Sequence, residues 1–491
     1  MKKSKKTRLP RKKMGKKLLF FNFILFSILL IASIFFIYTM YNTNVVPNKY
    51  IAIIGAVLLV FIITHFILTL KRKKIASIIL DILLVVIVAV ECFAIPKMSE
   101  FIDFIKYNFN AQYEVSIYNI MVSANSDYYN LDDISGKDII LYNETNGNEL
   151  EDKIKTKITN PNIKNTEDIM GDLTKLKKDK KMIVICDSSY YETQMENDLE
   201  FENSVRIIDT IEIKVKLDKK DSKNINVTKN SFMIYISGID TRSNSMPTRS
   251  LSDVNIIMAV NPDTKKILLV HTPRDYYVQL HNTNGLKDKL THAGTKKGGV
   301  NYSLATMEDL YGTEIPFYIR VNFNSVIKVV DAIGGINIYN DQKFTVKSYV
   351  NSACSYKPGW NNNVGGKCAL AFARERHAYA QGDRHRGENQ EQVITRIIEK
   401  VTSSTVLLNK YSEILKSLNN SFETNIDADK ITSLVKMQLD DMAKWNIDTY
   451  NVTGTGAMEY TYSYPNQKLY VMKPDTKTVD TAKQKIQEVL G

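Results

Sequence analysis

The sequence predicts an α/β protein: an α/β sandwich with a mixed central sheet, preceded by a small α/β accessory domain and three transmembrane helices. Three observations predict this class. The long apolar runs all fall within the first hundred residues. From residue 231 onward, short apolar runs of strand length alternate with segments of helical spacing, as expected where helices cover a sheet. Between these parts, short strand-like runs are set in Lys- and Asn-rich sequence that ends in a polar linker at 216–229.

The chain has 491 residues, enough for two or three domains. Residues 1–17 carry ten Lys or Arg and no acid. Apolar runs follow at 18–40, 50–70 and 75–95, the last interrupted only by Asp81 and Glu91. Runs of about 20 apolar residues cross a ~30 Å hydrocarbon core as helices. By the positive-inside rule, the basic tail and the Lys71-Arg72-Lys73-Lys74 cluster lie in the cytoplasm. Loop 41–49 and everything beyond about residue 97 are then extracellular. No small-residue cleavage site follows the first run, so it reads as an anchor rather than a removed signal peptide. Asp81 and Glu91 lie within reach of the membrane faces, where snorkelling or pairing with nearby lysines satisfies them. His65 reads as interfacial.

The accessory domain spans 111–225. Runs at 139–141 and 182–186 read as buried strands, and the alternation over 205–217 as a strand pair or one long strand. The last domain, 231–491, opens with strands at 232–236, 254–260 and 267–270, the last two joined at Asn261-Pro262-Asp263. Strands at 317–321 and 336–339 follow. Helices are expected at 300–310, 323–333 (stopped by Gly334-Gly335), 368–373, 392–401, 404–418 and 429–442.

The formal charge is +12, from 65 basic and 53 acidic residues. Setting aside the fourteen cations of 1–17 and 71–74 leaves −2 for all the rest. The basic excess therefore lies beside the membrane, where it sets topology or meets anionic lipid; it is no argument for nucleic acid. Of four cysteines, Cys92 falls in the third apolar run and Cys186 in a strand. Cys354 and Cys368, 14 residues apart around a Gly- and Asn-rich stretch, read as an external disulfide.

Four constellations carry polar chemistry: Gly238-Ile239-Asp240-Thr241-Arg242 at a strand end; Arg249-Ser250-Leu251-Ser252-Asp253 at the next strand start; Thr272-Pro273-Arg274-Asp275 after the third strand; and Arg374-Glu375-Arg376 followed by Gly382-Asp383-Arg384-His385-Arg386 and Asn389-Gln390. Strand ends of one sheet share a rim, so Asp240, Asp253 and Arg274 can converge. Two carboxylates hold Mg²⁺ well when phosphate oxygens supply the other ligands. The planar fork of Arg matches phosphate oxygens. Acids and arginines together point to a pyrophosphate with its metal. In a regular helix, residues i and i+2 lie about 200° apart, so Arg374 and Arg376 share a site only where the helix ends. Arg386 is favoured over Arg384, with Asp383 and Arg384 read as loop residues.

These motifs, in this order, resemble the LytR–CpsA–Psr family over about 231–400, including 327–335 (IKVVDAIGG), 366–376 (GKCALAFARER) and 382–390 (GDRHRGENQ). Three spans and an accessory domain resemble the capsule-associated branch, which points to a Gram-positive capsular polysaccharide locus and to partners in capsule assembly. The resemblance implies binding of a polyprenyl-pyrophosphate-linked glycan and its attachment to peptidoglycan through a phosphodiester. It implies Mg²⁺ (or Mn²⁺) on Asp240 and Asp253, and pyrophosphate on Arg274, Arg374, Arg376 and Arg386, with Gln390 in support from the next helix. Asp275 or one of the metal acids would act as base. Two departures stand out: Asn244-Ser245-Met246-Pro247 lies within the interval between the two acids, and Asn389 stands where many members have Arg. The alternatives are a lipid pyrophosphatase and a non-catalytic sensor or scaffold of capsule assembly.

Overall fold

A computed structural model of the chain describes residues 14–109, 113–143, 147–198, 200–216, 224–239, 241, 246–347, 353–380, 382–402 and 422–491. Asp240 and the helix expected at 404–418 lie outside the described residues. The chain divides into two units, Met1–Tyr107 with Ala428–Met442, and Asn108–Asp427 with Ala443–Gly491.

In the first unit, α1 (Lys16–Asn42), α2 (Asn48–Leu70) and α3 (Lys74–Phe109) coincide with the three apolar runs and extend beyond them. Among the described residues, three segments are long and apolar enough to cross a membrane, Lys16–Asn42, Asn48–Leu70 and Lys74–Glu100. The acids of α3 meet side chains of neighbouring helices, not lysines. Asp81 meets His65 Nε2 at 2.9 Å, and Glu91 accepts from Ser33 Oγ at 2.8 Å. All four side chains are buried, His65 wholly so rather than interfacial. A polar group facing hydrocarbon without a partner costs several kcal/mol, so polar residues here turn towards one another.

The second unit opens with a five-stranded sheet: β1 (Tyr113–Ser123), β2 (Asp138–Leu141), β3 (Asn162–Asn165), β4 (Ile183–Asp187) and β5 (Val205–Lys216), in the order β3-β2-β4-β1-β5. The alternation over 205–217 forms one strand, β5, paired antiparallel along the whole of β1. Helices α4 (Gly147–Lys157), α5 (Ile169–Leu176), α6 (Ser188–Asn197) and α7 (Phe201–Ser204) complete this part. Asp187, the last residue of β4, caps α6 by accepting from Ser189 N.

The larger part is built on β6 (Phe232–Ile239), β7 (Ser252–Asn261) and β8 (Lys266–Thr272). There follow β9 (Tyr277–Gln279), β10 (Lys287–Lys289), α8 (Gly299–Tyr311), β11 (Phe317–Asn322), α9 (Phe323–Ala332), β12 (Ile336–Asn340), β13 (Phe344–Lys347), β14 (Ala353–Tyr356), β15 (Gly359–Val364), α10 (Gly366–Arg374) and α11 (Asp383–Thr402). The chain closes with β16 (Phe422–Thr424), β17 (Asn446–Asn451), β18 (Gly454–Tyr460), β19 (Lys468–Pro474) and α13 (Thr476–Leu490); α12 (Ala428–Asp441), between β16 and β17 in sequence, belongs to the first unit. The six-stranded sheet runs β16-β11-β6-β7-β8-β17. It is mixed, with β11 parallel to β6 and β17 parallel to β8.

Both faces of this sheet are covered, which is why its strands read as continuous apolar runs. Tyr235, Ile257, Leu268 and Val270 pack with Val300, Leu304 and Met307 of α8 and with Val479, Ala482 and Ile486 of α13. The alternate residues Ile236, Val254, Met258, Ile319 and Val321 face α9, α10 and α11. One expected boundary is corrected. The helix expected at 392–401 begins at Asp383, so Asp383 and Arg384 are helical rather than loop residues, and Arg386 and Gln390 belong to the same helix. Glycines and charges in GDRHRGE suggest a loop. The turn at Gly382 (φ +55°), whose carbonyl accepts from Arg386 N, starts the helix instead.

Cys354 of β14 and Cys368 of α10 form a disulfide, with Cα atoms 5.4 Å apart. It ties the β13–β14 hairpin to the helix that carries Arg374. Closing a loop of this length stabilises a domain by about 3 kcal/mol. Cys354→Ser with Cys368→Ser is expected to lower the melting temperature by several degrees, and dithiothreitol to do the same to the wild type but not to the double variant.

Candidate active site

The site starts at Asp253. The β6–β7 ladder pairs Gly238 with Val254 and Ile239 with Ser252, so Asp253 is the extra residue of a bulge. Bulges re-aim a side chain and recur beside active sites. A buried polar network fixes this corner. Asn255 Nδ2 donates to the Ser252 carbonyl at 3.0 Å, Ser252 Oγ meets Ser237 Oγ at 2.8 Å, and Tyr235 Oη donates to Asn255 Oδ1 at 2.6 Å. Asp253 Oδ1 meets Arg274 Nη1, and Arg274 follows the end of β8. Its carbonyl accepts from Thr291 N at 2.9 Å, which holds the loop.

Around Arg274 lies a dense set of charges. Glu196 Oε1 is 2.7 Å from Arg274 Nη2 and 2.9 Å from Lys289 Nζ, and Lys289 Nζ is 3.3 Å from Asp275 Oδ1. His292 stands between Asp288, at 2.7 Å, and Glu196, at 3.6 Å. Burial alone would raise the Glu196 carboxyl. The Arg274 charge, then His292 and Lys289, outweigh it and hold Glu196 well below the usual carboxylate range. Burial would lower Lys289 and His292, but the facing carboxylates outweigh it and raise both. Asp288 is held down to about 2: burial opposes this, and the His292 charge and hydrogen bond exceed it.

The other arginines come from the helices. Arg374 is the last residue of α10, its guanidinium 4.3 Å from the centre of the Phe323 ring. The helix stops there because Glu375 is extended and its carboxylate accepts from the backbone of His377 and Ala378. Arg376 is therefore free of the helical 200° offset; it is exposed, with its Nε 3.4 Å from His377 Nε2. Arg386 and Gln390 lie one turn apart on α11. The first turns of α11 press on β8: a Cβ at Gly387 would stand 2.4 Å from His271 Cε1, so only glycine permits this approach. His271 is held down to about 4 by burial and then by the Arg386 charge, and it hydrogen-bonds Asn451 and Gln390. Asn389 donates to the Phe372 carbonyl at 3.1 Å, fastening α11 to α10.

Between the sheet and α9–α11 is a cavity of about 260 Å³. Its walls are apolar, from Ile236, Val254, Met258, Val326, Val393 and Ile397, and Arg374 and Gln390 border it. Val254 lines it, and the preceding residue, Asp253, pairs with Arg274. Arg376 does not line it. Among the described residues no group of three His, Cys, Asp or Glu could hold a metal unaided. Asp253 Oδ2 has no protein partner among the described residues, which suits a cation completed by phosphate oxygens.

The LytR_cpsA_psr family model matches residues 200–485, more than half of the chain. The chain belongs to the LytR–CpsA–Psr family. It is similar to a polyisoprenyl-teichoic acid–peptidoglycan teichoic acid transferase TagU of Oceanobacillus iheyensis, 30% identical over 260 residues, covering 51% of this chain and 77% of that one. It is also similar to a biofilm regulatory protein A of Streptococcus mutans, 28% identical over 244 residues, covering 48% and 59%. Among solved structures, B. subtilis TagV is 28% identical with a TM-score of 0.46, covering 53% of this chain and 98% of that one. Within this LytR–CpsA–Psr chain the residues around Arg274 that sequence reading missed are Glu196, Lys289 and His292. Asp288 and His292, four residues apart, offered a weak signal; Glu196 offered none, because it precedes the matched region.

A buried acid gives the domain a pH dependence. Glu391 is raised from 4.5 to about 8, by burial first, opposed by its Asn451 hydrogen bond and aided by Glu388. A carboxyl raised on folding stabilises fully below the unfolded value, and that contribution is lost as pH rises through the folded one. The loss falls between pH 4.5 and about 8 and is on the order of 5 kcal/mol. Glu391→Gln is expected to flatten this decline in melting temperature across pH 5 to 8.

Proposed function

We propose that this chain transfers a glycan from a polyprenyl-pyrophosphate carrier to peptidoglycan, forming a phosphodiester. One observation carries the reading: an apolar cavity is bordered by Arg374 and Gln390 and lined by Val254, whose chain neighbour Asp253 pairs with Arg274. An isoprenoid tail suits walls of Ile, Val and Met, and a pyrophosphate suits a rim of guanidinium forks. The names of the TagU relatives support transfer from a polyisoprenyl carrier to peptidoglycan. Three spans and an accessory domain favour capsular polysaccharide over teichoic acid as the glycan. With the basic tail in the cytoplasm, the site lies outside the cell, where its acceptor is.

In this mechanism an acceptor sugar hydroxyl attacks the phosphorus nearest the glycan. A new P–O bond forms, the bond to polyprenyl phosphate breaks, and that phosphate leaves. The hydroxyl proton passes to a rim carboxylate, for which Asp275, Asp253 and Asp240 are the candidates. Arg274, Arg374, Arg376 and Arg386 stabilise charge on the non-bridging oxygens by several kcal/mol. Mg²⁺ or Mn²⁺, held by Asp253 and Asp240 with phosphate oxygens, would supply further charge neutralisation.

The test uses detergent-solubilised full-length protein with Mg²⁺, a lipid-pyrophosphate-linked oligosaccharide and peptidoglycan fragments, followed by mass spectrometry. A phosphodiester-linked product, absent with Asp253→Ala, supports transfer. Polyprenyl phosphate released without a coupled product would replace transfer by hydrolysis, and tight lipid binding without turnover would replace it by sensing.

A further inference from the structure

Helix α6 belongs to the accessory part and lies outside the family match at 200–485. Four of its residues nevertheless reach the catalytic half. Glu192 Oε2 accepts from Ser250 Oγ at 2.9 Å. Tyr464 Oη donates to the Thr193 carbonyl and to Gln194 Oε1, each at 3.1 Å. Glu196, one turn after Glu192, enters the charge cluster itself.

The geometry there is specific. The terminal nitrogens of Arg274 are held by carboxylates from two different domains, Nη1 by Asp253 and Nη2 by Glu196. The Nη1 contact is a hydrogen bond and the Nη2 contact a close ion pair without hydrogen-bond geometry, and together they hold the guanidinium in place. Glu196 Oε1 also holds Lys289, which reaches Asp275. One side chain of the accessory domain thus sets the arginine and, through Lys289, the neighbouring acid.

We infer that Glu196 is a positioning residue for the transfer reaction, and that the accessory domain completes the active site by fixing Arg274. This rests on the transferase reading above. The role explains why helix α6 is buried at this edge rather than solvated.

The experiment uses full-length protein in detergent with the lipid-linked oligosaccharide and peptidoglycan fragments. Glu196→Ala is expected to lower kcat on the order of 10- to 100-fold, as loss of a supporting contact does, with KM for the lipid substrate changed less than about threefold. Glu196→Gln keeps the Oε1 acceptor and is expected to restore most of kcat, which a merely structural loss of docking would not predict. Thermal unfolding of both variants separates misfolding from misplacement. Unchanged kcat in Glu196→Ala overturns the inference; so does a faster enzyme, which would make Glu196 a competitor for the phosphate position. A second measurement needs no turnover: binding of a polyprenyl pyrophosphate to wild type, Glu196→Ala, Arg274→Ala and the double variant. Arg274→Ala is expected to weaken binding at least about fivefold less when Glu196 is already absent. Additive effects overturn the inference even if no transfer is ever seen. A wild type that binds the lipid but forms no product refutes the transferase reading alone, and one that binds no lipid refutes both.

Discussion

Arg274→Ala is expected to reduce transfer by on the order of 10²–10³-fold, the usual effect of deleting one donor that meets developing charge. Two losses combine. The guanidinium no longer faces the phosphate, and Asp253 and Glu196 are left facing one another without the cation between them. Removing one partner of a buried ion pair destabilises by about 3–5 kcal/mol. The melting temperature should therefore fall with activity, and activity must be compared per folded molecule. Arg274→Lys separates the effects, because it restores the charge but not the fork. Stability should recover and transfer should recover only in part. An Arg274→Ala enzyme with more than a tenth of wild-type transfer would show that the pyrophosphate lies elsewhere.

Val326→Trp is expected to weaken binding of a long-chain polyprenyl pyrophosphate by on the order of 10²–10³-fold while leaving inorganic pyrophosphate unaffected. Val326 lines the cavity from α9, and an indole there fills the space on the sheet side of the helix. Each buried CH₂ contributes about 0.8 kcal/mol, so excluding four to six of them costs roughly 3–5 kcal/mol of affinity. Lys328→Ala, exposed on the same helix, is the control. Equal weakening of both ligands would mean that the substitution distorts the rim. Unchanged binding of the long chain would mean that the tail lies elsewhere.

The strands of the central sheet were legible because their residues are buried on both sides. Ile234 and Ile236 face one layer while Met233 and Tyr235 face the other, so apolarity never breaks. Convergence of Asp253 and Arg274 was legible because adjacent strand ends meet. The bulge that aims Asp253 was not, since it depends on the register between Gly238 and Ile239. The start of α11 was hidden by a charged, glycine-containing run whose helical state depends on packing against His271. Partners of Asp81 and Glu91 could not be read either, because Ser33 and His65 lie on other helices. Strands β17–β19 and helix α13 carry little apolar signal, being half exposed on one face. Least legible was Glu196. Nothing within the ten residues of α6 says which surface, 78 residues further on, the helix will meet.

The outer strand β17 has a consequence for how the molecule is made. It pairs parallel with β8 across about 180 residues, through His271 and Asn451, and Asn451 also bonds Glu391 at 2.7 Å. Contacts so distant in sequence form late and slowly, because a long loop must close before they are gained. During synthesis the strand bearing His271 emerges long before its outer neighbour and must wait with one edge unpaired. Such edges invite pairing with other chains. The last fifty residues, poor in chemistry of their own, therefore decide how long the nascent enzyme stays exposed to aggregation.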